Sequence, residues 1–190
     1  MMDAEFAKGL GGDPVAVIAA IFERQQAFAE HAFDQLDDEG FFRVLAPGLN
    51  SVAVIARHIA GNLASRWTDV LTTDGEKPTR DRDAELAVLA PDAAARSALR
   101  AGIMRDWEAG WATLFATLGT LSADDLERTV LIRSKPHSAF AAALRQIDHY
   151  SFHVGQINII ARQIVGTDSW RWFTVPPGGT GELNRRLMGG

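Results

Sequence analysis

A chain of 190 residues that is 47% hydrophobic and 23% charged has enough apolar material for one buried core, and lacks the charge excess of a disordered segment or the bias of a fibre. A net charge of −5, with no run of Lys or Arg longer than a pair, leaves no electrostatic footprint for nucleic acid or anionic lipid, so neither is an expected partner. Cysteine is absent, which removes disulfides, thiolate metal ligands and a cysteine nucleophile together.

Any metal must therefore be held through nitrogen and oxygen, and any sulfur chemistry needs a thiol brought by a separate molecule. The first twenty residues lack the basic, apolar and small-residue succession of a secretory leader, and no apolar stretch reaches membrane-spanning length. The expected location is the cytoplasm. No linker divides the chain, so a single all-α domain is expected over 1–190.

The pair Asp13-Pro14 supplies an N-cap followed by proline at the first helical position, and Ile18, Phe22, Ala29, Phe33 and Leu36 recur at helical spacing. A first helix is predicted over 13–36. The segment 37–49 has glycines, a proline and no clear period, and reads as a connection. Asn50 or Ser51 can cap a second helix over 51–71, with Val52, Ile55, Ile59, Leu63 and Val70 as its apolar stripe. The polar segment 72–91, with Gly75 and Pro78, is predicted to be a long surface loop.

A third helix is predicted over 92–119, where Leu99, Ile103, Trp107, Trp111, Leu114 and Leu118 form one face, read as core packing. SADDLERTV is a short helix or a turn. TVLIR has strand character, but no partner strand is evident. The fourth helix is predicted over 138–165, stopped by Gly166. The tail 166–190 is rich in Pro and Gly and is expected to be irregular, with Trp170, Trp172 and Phe173 packing it back on the bundle. Four long helices bury their stripes best against one another, which gives a four-helix bundle.

In the fourth helix His149 and His153 stand four residues apart, so both imidazoles project from one face a single turn apart, with Gln146 and Gln156 beside them. Packed together, two imidazoles suppress each other's protonation, and a metal uses their neutral lone pairs. A third ligand must come from elsewhere. His58, on the second helix between Ile55 and Asn62, is the best candidate. His31 is expected to point outward and His137 precedes the fourth helix, so both are left out.

Three nitrogens with a position left to solvent is the pattern of a catalytic metal site. Zinc fits this ligand type best, and nickel, iron, manganese or cobalt fit it too. Tyr150 follows His149 where the HExxH metalloproteases have glutamate, so a protease is not expected, and the absence of any ExxH motif argues against a di-iron centre.

Three segments, LNSVAVIARHIAGNLASRWTDVLTTDGEKPTRDRD, LRQIDHYSFHVGQI and PPGGTGELN, resemble the DinB/YfiT-like superfamily, in a branch without an assigned activity, over nearly the whole chain. The resemblance implies a bundle of up-down-down-up order, commonly a homodimer, with a metal on one histidine of the second helix and the H-x3-H pair of the fourth. Those positions are His58, His149 and His153 here. Characterised relatives include metal-dependent transferases and isomerases that use bacillithiol, mycothiol or glutathione. The leading expectation is thus a thiol-dependent S-transferase acting on a small-molecule substrate, with Arg57, Asn62, Arg66, Trp67 and Gln156 as pocket candidates. A metal-dependent hydrolase and a non-enzymatic metal- or ligand-binding bundle are the alternatives.

Overall fold

Side-chain caps open all four long helices in the computed structural model, which describes residues 12–188. The start of the chain, read above for a leader, and the last two residues lie outside the described residues. Asp13 accepts a hydrogen bond from the Val15 amide and Pro14 occupies the first turn of α1 (Pro14–Phe33). Ser51 does the same for α3 (Val52–Trp67), Asp92 for α5 (Ala93–Leu118) and Ser138 for α6 (Ala139–Val165). Gly119 caps the end of α5. Gly166, at φ 87°, ends α6 in a conformation glycine adopts freely.

Helix α3 is buried on nearly every face. It packs mainly along α5 and also meets α6, whereas α1 packs along α6. Gly110 makes the α3–α5 approach close: a Cβ there would stand 2.8 Å from Leu63 Cβ. Phe22, Trp67, Trp107, Trp111 and Tyr150 fill the space between the helices, largely through edge-to-face contacts such as Phe22–Trp67 at 5.5 Å. The stripe of α5 differs from expectation at one position, since Leu99 is 41% exposed and the buried face begins at Ile103.

Four further departures have local causes. The segment 37–49 contains a one-turn helix, α2 (Asp38–Phe42), capped by Asp37 and held by burial of Phe41 and Phe42. A single turn is too short to show a period. Helix α3 stops at Trp67 and not near Leu71, because Thr68 is extended and Asp69 is left-handed at φ 49°. The 72–91 segment holds a second short helix, α4 (Arg82–Leu86), capped by Asp81. The C-terminal tail is irregular to residue 179 and then forms α7 (Thr180–Met188), which buries no residue.

The chain is mostly helical rather than all-α, for the TVLIR strand has a partner. β1 (Thr129–Ile132) pairs antiparallel with β2 (Lys135–Ser138), after a 3-10 turn at Asp124–Glu127. KPHS gives no strand signal in sequence because it contains Pro136 and has no apolar alternation. Arg133 and Ser134, both at positive φ, form the two-residue connection, and Asp74 accepts from both their amides at 2.8 and 2.6 Å. Val130 and Ile132 bury a small second core against Ala139 and Ala142. No helix among the described residues is long and apolar enough to cross a membrane.

Trp170 is buried on the bundle and Phe173 packs on Phe28 at 4.2 Å, so the tail does fold back. It covers His31, whose Nε2 lies 2.6 Å from the Arg171 carbonyl oxygen. His31 is thus half-buried against Trp170 and Phe173, where it was expected to point outward.

Candidate metal centre

The crossing of α3 and α6 brings three imidazoles to one point. His58 is 2% exposed, and its Nε2 lies 3.3 Å from His149 Nε2; His153 Nε2 lies 3.1 Å from the same atom. One ring nitrogen from each of the three histidines falls within 4.8 Å of the others. His31 and His137 stand apart, the first under the tail and the second in the hairpin, bonded to the Lys135 carbonyl.

The outer ring nitrogens decide how the inner ones are protonated. His58 Nδ1 lies 2.9 Å from Glu85 Oε2, and Glu85 in turn accepts two hydrogen bonds of 2.8 Å from Arg80. Burial alone would raise the Glu85 carboxyl, but the hydrogen bonds and charges of Arg80 and His58 outweigh it and hold the pKa at about 2. An ionised carboxylate only accepts, so His58 Nδ1 carries the hydrogen and donates it. His153 Nδ1 donates likewise to Gln156 Oε1 at 2.8 Å. Both Nε2 atoms are then bare lone pairs, and both face His149 Nε2.

His149 cannot satisfy two acceptors with one hydrogen. Burial first, then the neighbouring His153, His58, Arg80 and Arg66, push its pKa down to about 3, so a second proton is not available near neutrality. Burial also lowers His153, more than its bond to Gln156 raises it. A divalent cation held by the three lone pairs would resolve the conflict. Metal–nitrogen bonds of about 2.0–2.1 Å at tetrahedral angles separate neighbouring nitrogens by roughly 3.3 Å, which the two shorter separations match. Carboxylate–histidine pairs of the Glu85–His58 kind fix ring orientation and basicity at metal sites.

Glu85 escaped sequence reading because it lies 27 residues from His58 in a segment taken for a surface loop. The one available signal was the Asp81 cap just ahead of it. The segment is tied down along its length. Arg57 donates to the carbonyls of Glu85 and Ala87, Ser65 to that of Gly75, and the Gly75 amide to Leu131 of the hairpin. Glu76 pairs with Arg66 at 2.8 Å and Arg133 at 3.1 Å. Gly61 leaves the room that Glu85 needs, since a Cβ at 61 would fall on the Glu85 carboxylate.

His58 and His149 line an open cavity of about 510 Å³, together with Asn62, Arg66 and Gln146. Asn62 Oδ1 accepts from the Tyr150 hydroxyl at 3.0 Å, and burial raises the Tyr150 pKa, so the donor stays protonated. The five pocket candidates thus divide. Asn62 and Arg66 face the cavity, Gln156 orients His153, Arg57 braces the Glu85 segment, and Trp67 packs in the core against Phe22.

The model of one family, described as a protein of unknown function (DUF1572), matches residues 11–179. The chain belongs to this family. No curated protein and no solved structure matches it. The DUF1572 match contains the three histidines, Glu85, Gln156 and the hairpin, so the whole candidate centre lies within the family's span.

Proposed function

We propose that the protein is a divalent-metal-dependent enzyme of DinB/YfiT type, a four-helix bundle in up-down-down-up order, in which His58, His149 and His153 hold the metal and a small thiol serves in S-transfer. The observation that carries the reading is the convergence of the imidazole nitrogens while Glu85 and Gln156 occupy the outer Nδ1 atoms of His58 and His153. Zinc suits the donor set best, with nickel, iron, manganese or cobalt as the other candidates. When bound, the metal supplies Lewis acidity, lowering the pKa of a coordinated thiol or water.

The protein's own groups prepare the site. Glu85 and Gln156 set the tautomers of His58 and His153, and Arg80 keeps Glu85 ionised. Asn62, anchored by Tyr150, and Arg66 present polar atoms where a co-substrate enters. With no cysteine in the chain, the thiol comes from solution. Its proton is released to solvent, its sulfur bonds to an electrophilic carbon, and the leaving group departs with the bonding pair.

A homodimer is part of the same reading. On α6, Phe140, Leu144, Phe152 and Ile159 are 40 to 63% exposed and recur at helical spacing, an apolar face that a second copy would cover. Sedimentation of the purified protein tests this, and a monomer at high concentration counts against it.

For the activity, the purified protein is analysed for metal and assayed with monochlorobimane and a panel of small thiols. Stoichiometric divalent metal and metal-dependent conjugation are expected. Absence of metal after reconstitution would defeat the reading; a metal-loaded protein that turns over no thiol but cleaves esters in water would move it to the hydrolases.

A further inference from the structure

Five guanidinium groups line the cavity that opens from His58 and His149: Arg66, Arg80, Arg82, Arg133 and Arg145. Among the described residues the lining holds one carboxylate, Asp148, while Glu76 and Glu85 neutralise part of the charge of Arg66, Arg80 and Arg133 from behind. Arg82 and Arg145 are exposed and have no hydrogen-bond or ion-pair partner among the described residues. On a chain with a net charge of −5 this is a local concentration of positive potential at the mouth of the site.

Two polar atoms behind the same lining lack partners. Arg66, 7% exposed, keeps its Nε buried without an acceptor, and Gln146, 4% exposed, keeps its Oε1 buried without a donor. Buried polar atoms are nearly always paired in native folds. Both atoms are sealed from solvent, and both side chains also border a small apolar pocket beside Trp67 and Leu118, so a molecule of metabolite size in the cavity of about 510 Å³ meets the arginines rather than these two atoms.

We propose that the substrate or co-substrate of this site is a small organic anion whose carboxylate or phosphate oxygens are held by Arg82 and Arg145, in the positive field of the five arginines that line the cavity. Guanidinium groups match both oxyanions through paired N–H bonds, which a neutral or cationic molecule cannot use. The assignment rests on the reading of the three histidines as a reaction site and adds the chemical class of what that site receives.

The test titrates metal-free and zinc-loaded protein at low ionic strength with inorganic phosphate, succinate and uncharged succinamide, following heat of binding, with metal content measured for every sample. Phosphate or succinate is expected to bind both forms, and the stronger of the two names the oxyanion; succinamide is expected not to bind. The double variant Arg82→Ala/Arg145→Ala is expected to lose about tenfold or more in affinity with its metal content unchanged. The double variant Arg185→Ala/Arg186→Ala removes the same charge outside the cavity lining and is expected to bind like the parent. Equal affinity in the parent and Arg82→Ala/Arg145→Ala, equal loss in both double variants, or no anion binding to protein that holds its metal would overturn the proposal. Anion binding by protein that never retains metal would instead count against the metal reading alone.

Discussion

Glu85 reaches His58 across 27 residues of sequence, its Oε2 standing 2.9 Å from the imidazole Nδ1. The contact fixes the tautomer of His58 and turns its hydrogen-free Nε2 toward His149. Glu85→Gln keeps the size of the side chain and removes its charge, and it should weaken metal affinity by about 10- to 100-fold without unfolding the protein. Competition titration against a chromophoric chelator measures this; unchanged affinity would mean that Glu85 has no hold on the ligand.

The proposed ligands are distinguished by single substitutions. His58→Ala and His153→Ala should each abolish stoichiometric metal, whereas His31→Ala, which loses only its contact with the tail, should retain it. Elemental analysis of the three purified variants reads the difference, and equal loss in all three would mean the ligands are misassigned.

Two glycines should fail in different ways. Gly61→Ala drives a methyl group into the Glu85 carboxylate and should reproduce the metal loss of Glu85→Gln. Gly110→Ala places its methyl 2.8 Å from Leu63 Cβ and should cost about 1–3 kcal/mol of stability through overpacking, with metal stoichiometry intact. Chemical denaturation and metal analysis of both variants separate the two effects.

Acid should destabilise the metal-free protein. His149 is held at about 3 against an ordinary 6.5, so between those values the unfolded chain carries a proton that the folded one does not. Stability therefore rises with pH across that window and falls as pH drops below about 6.5. Glu85, held at about 2 against 4.5, adds stability above 4.5 that is lost as pH falls through its folded value, so it acts in the same direction at lower pH. Thermal melting of metal-stripped protein from neutrality to pH 4.5 should show the decline, and His149→Gln should flatten it. A parallel slope in the variant would assign the decline to other groups.

The hairpin turn holds two non-glycine residues in the left-handed region. Ser134→Gly keeps the amide that Asp74 accepts from and relieves that backbone cost, so a gain of about 0.5–1 kcal/mol is expected by chemical denaturation.

Much of the helical framework was legible because caps and stripes are local signals: Asp13 and Ser51 bond as the caps they were read to be, the helices expected from 92 and 138 start there, and Trp107 and Trp111 are buried as their spacing implied. The convergence of His149 and His153 followed from one helical turn. Joining His58 to them required tertiary packing, and so drew on the resemblance. What sequence could not show depends on long-range contact. β2 has strand form because β1 and α6 hold it, and α4 is five residues long. Glu85, Arg80 and Glu76 sit in a charged stretch whose fate depends on the groove beside α3, and no period in the chain describes that groove.

The clearance at Gly61 has a use beyond this chain. In this chain the Glu85 carboxylate occupies the space that a side chain at position 61 would take, so the two residue types form a readable pair. In any DUF1572 chain that pairs a histidine at the position of His58 with a bulkier residue at that of Gly61, the carboxylate is expected to be displaced from the imidazole, and sorting family members by that pair should divide them into classes with different metal retention.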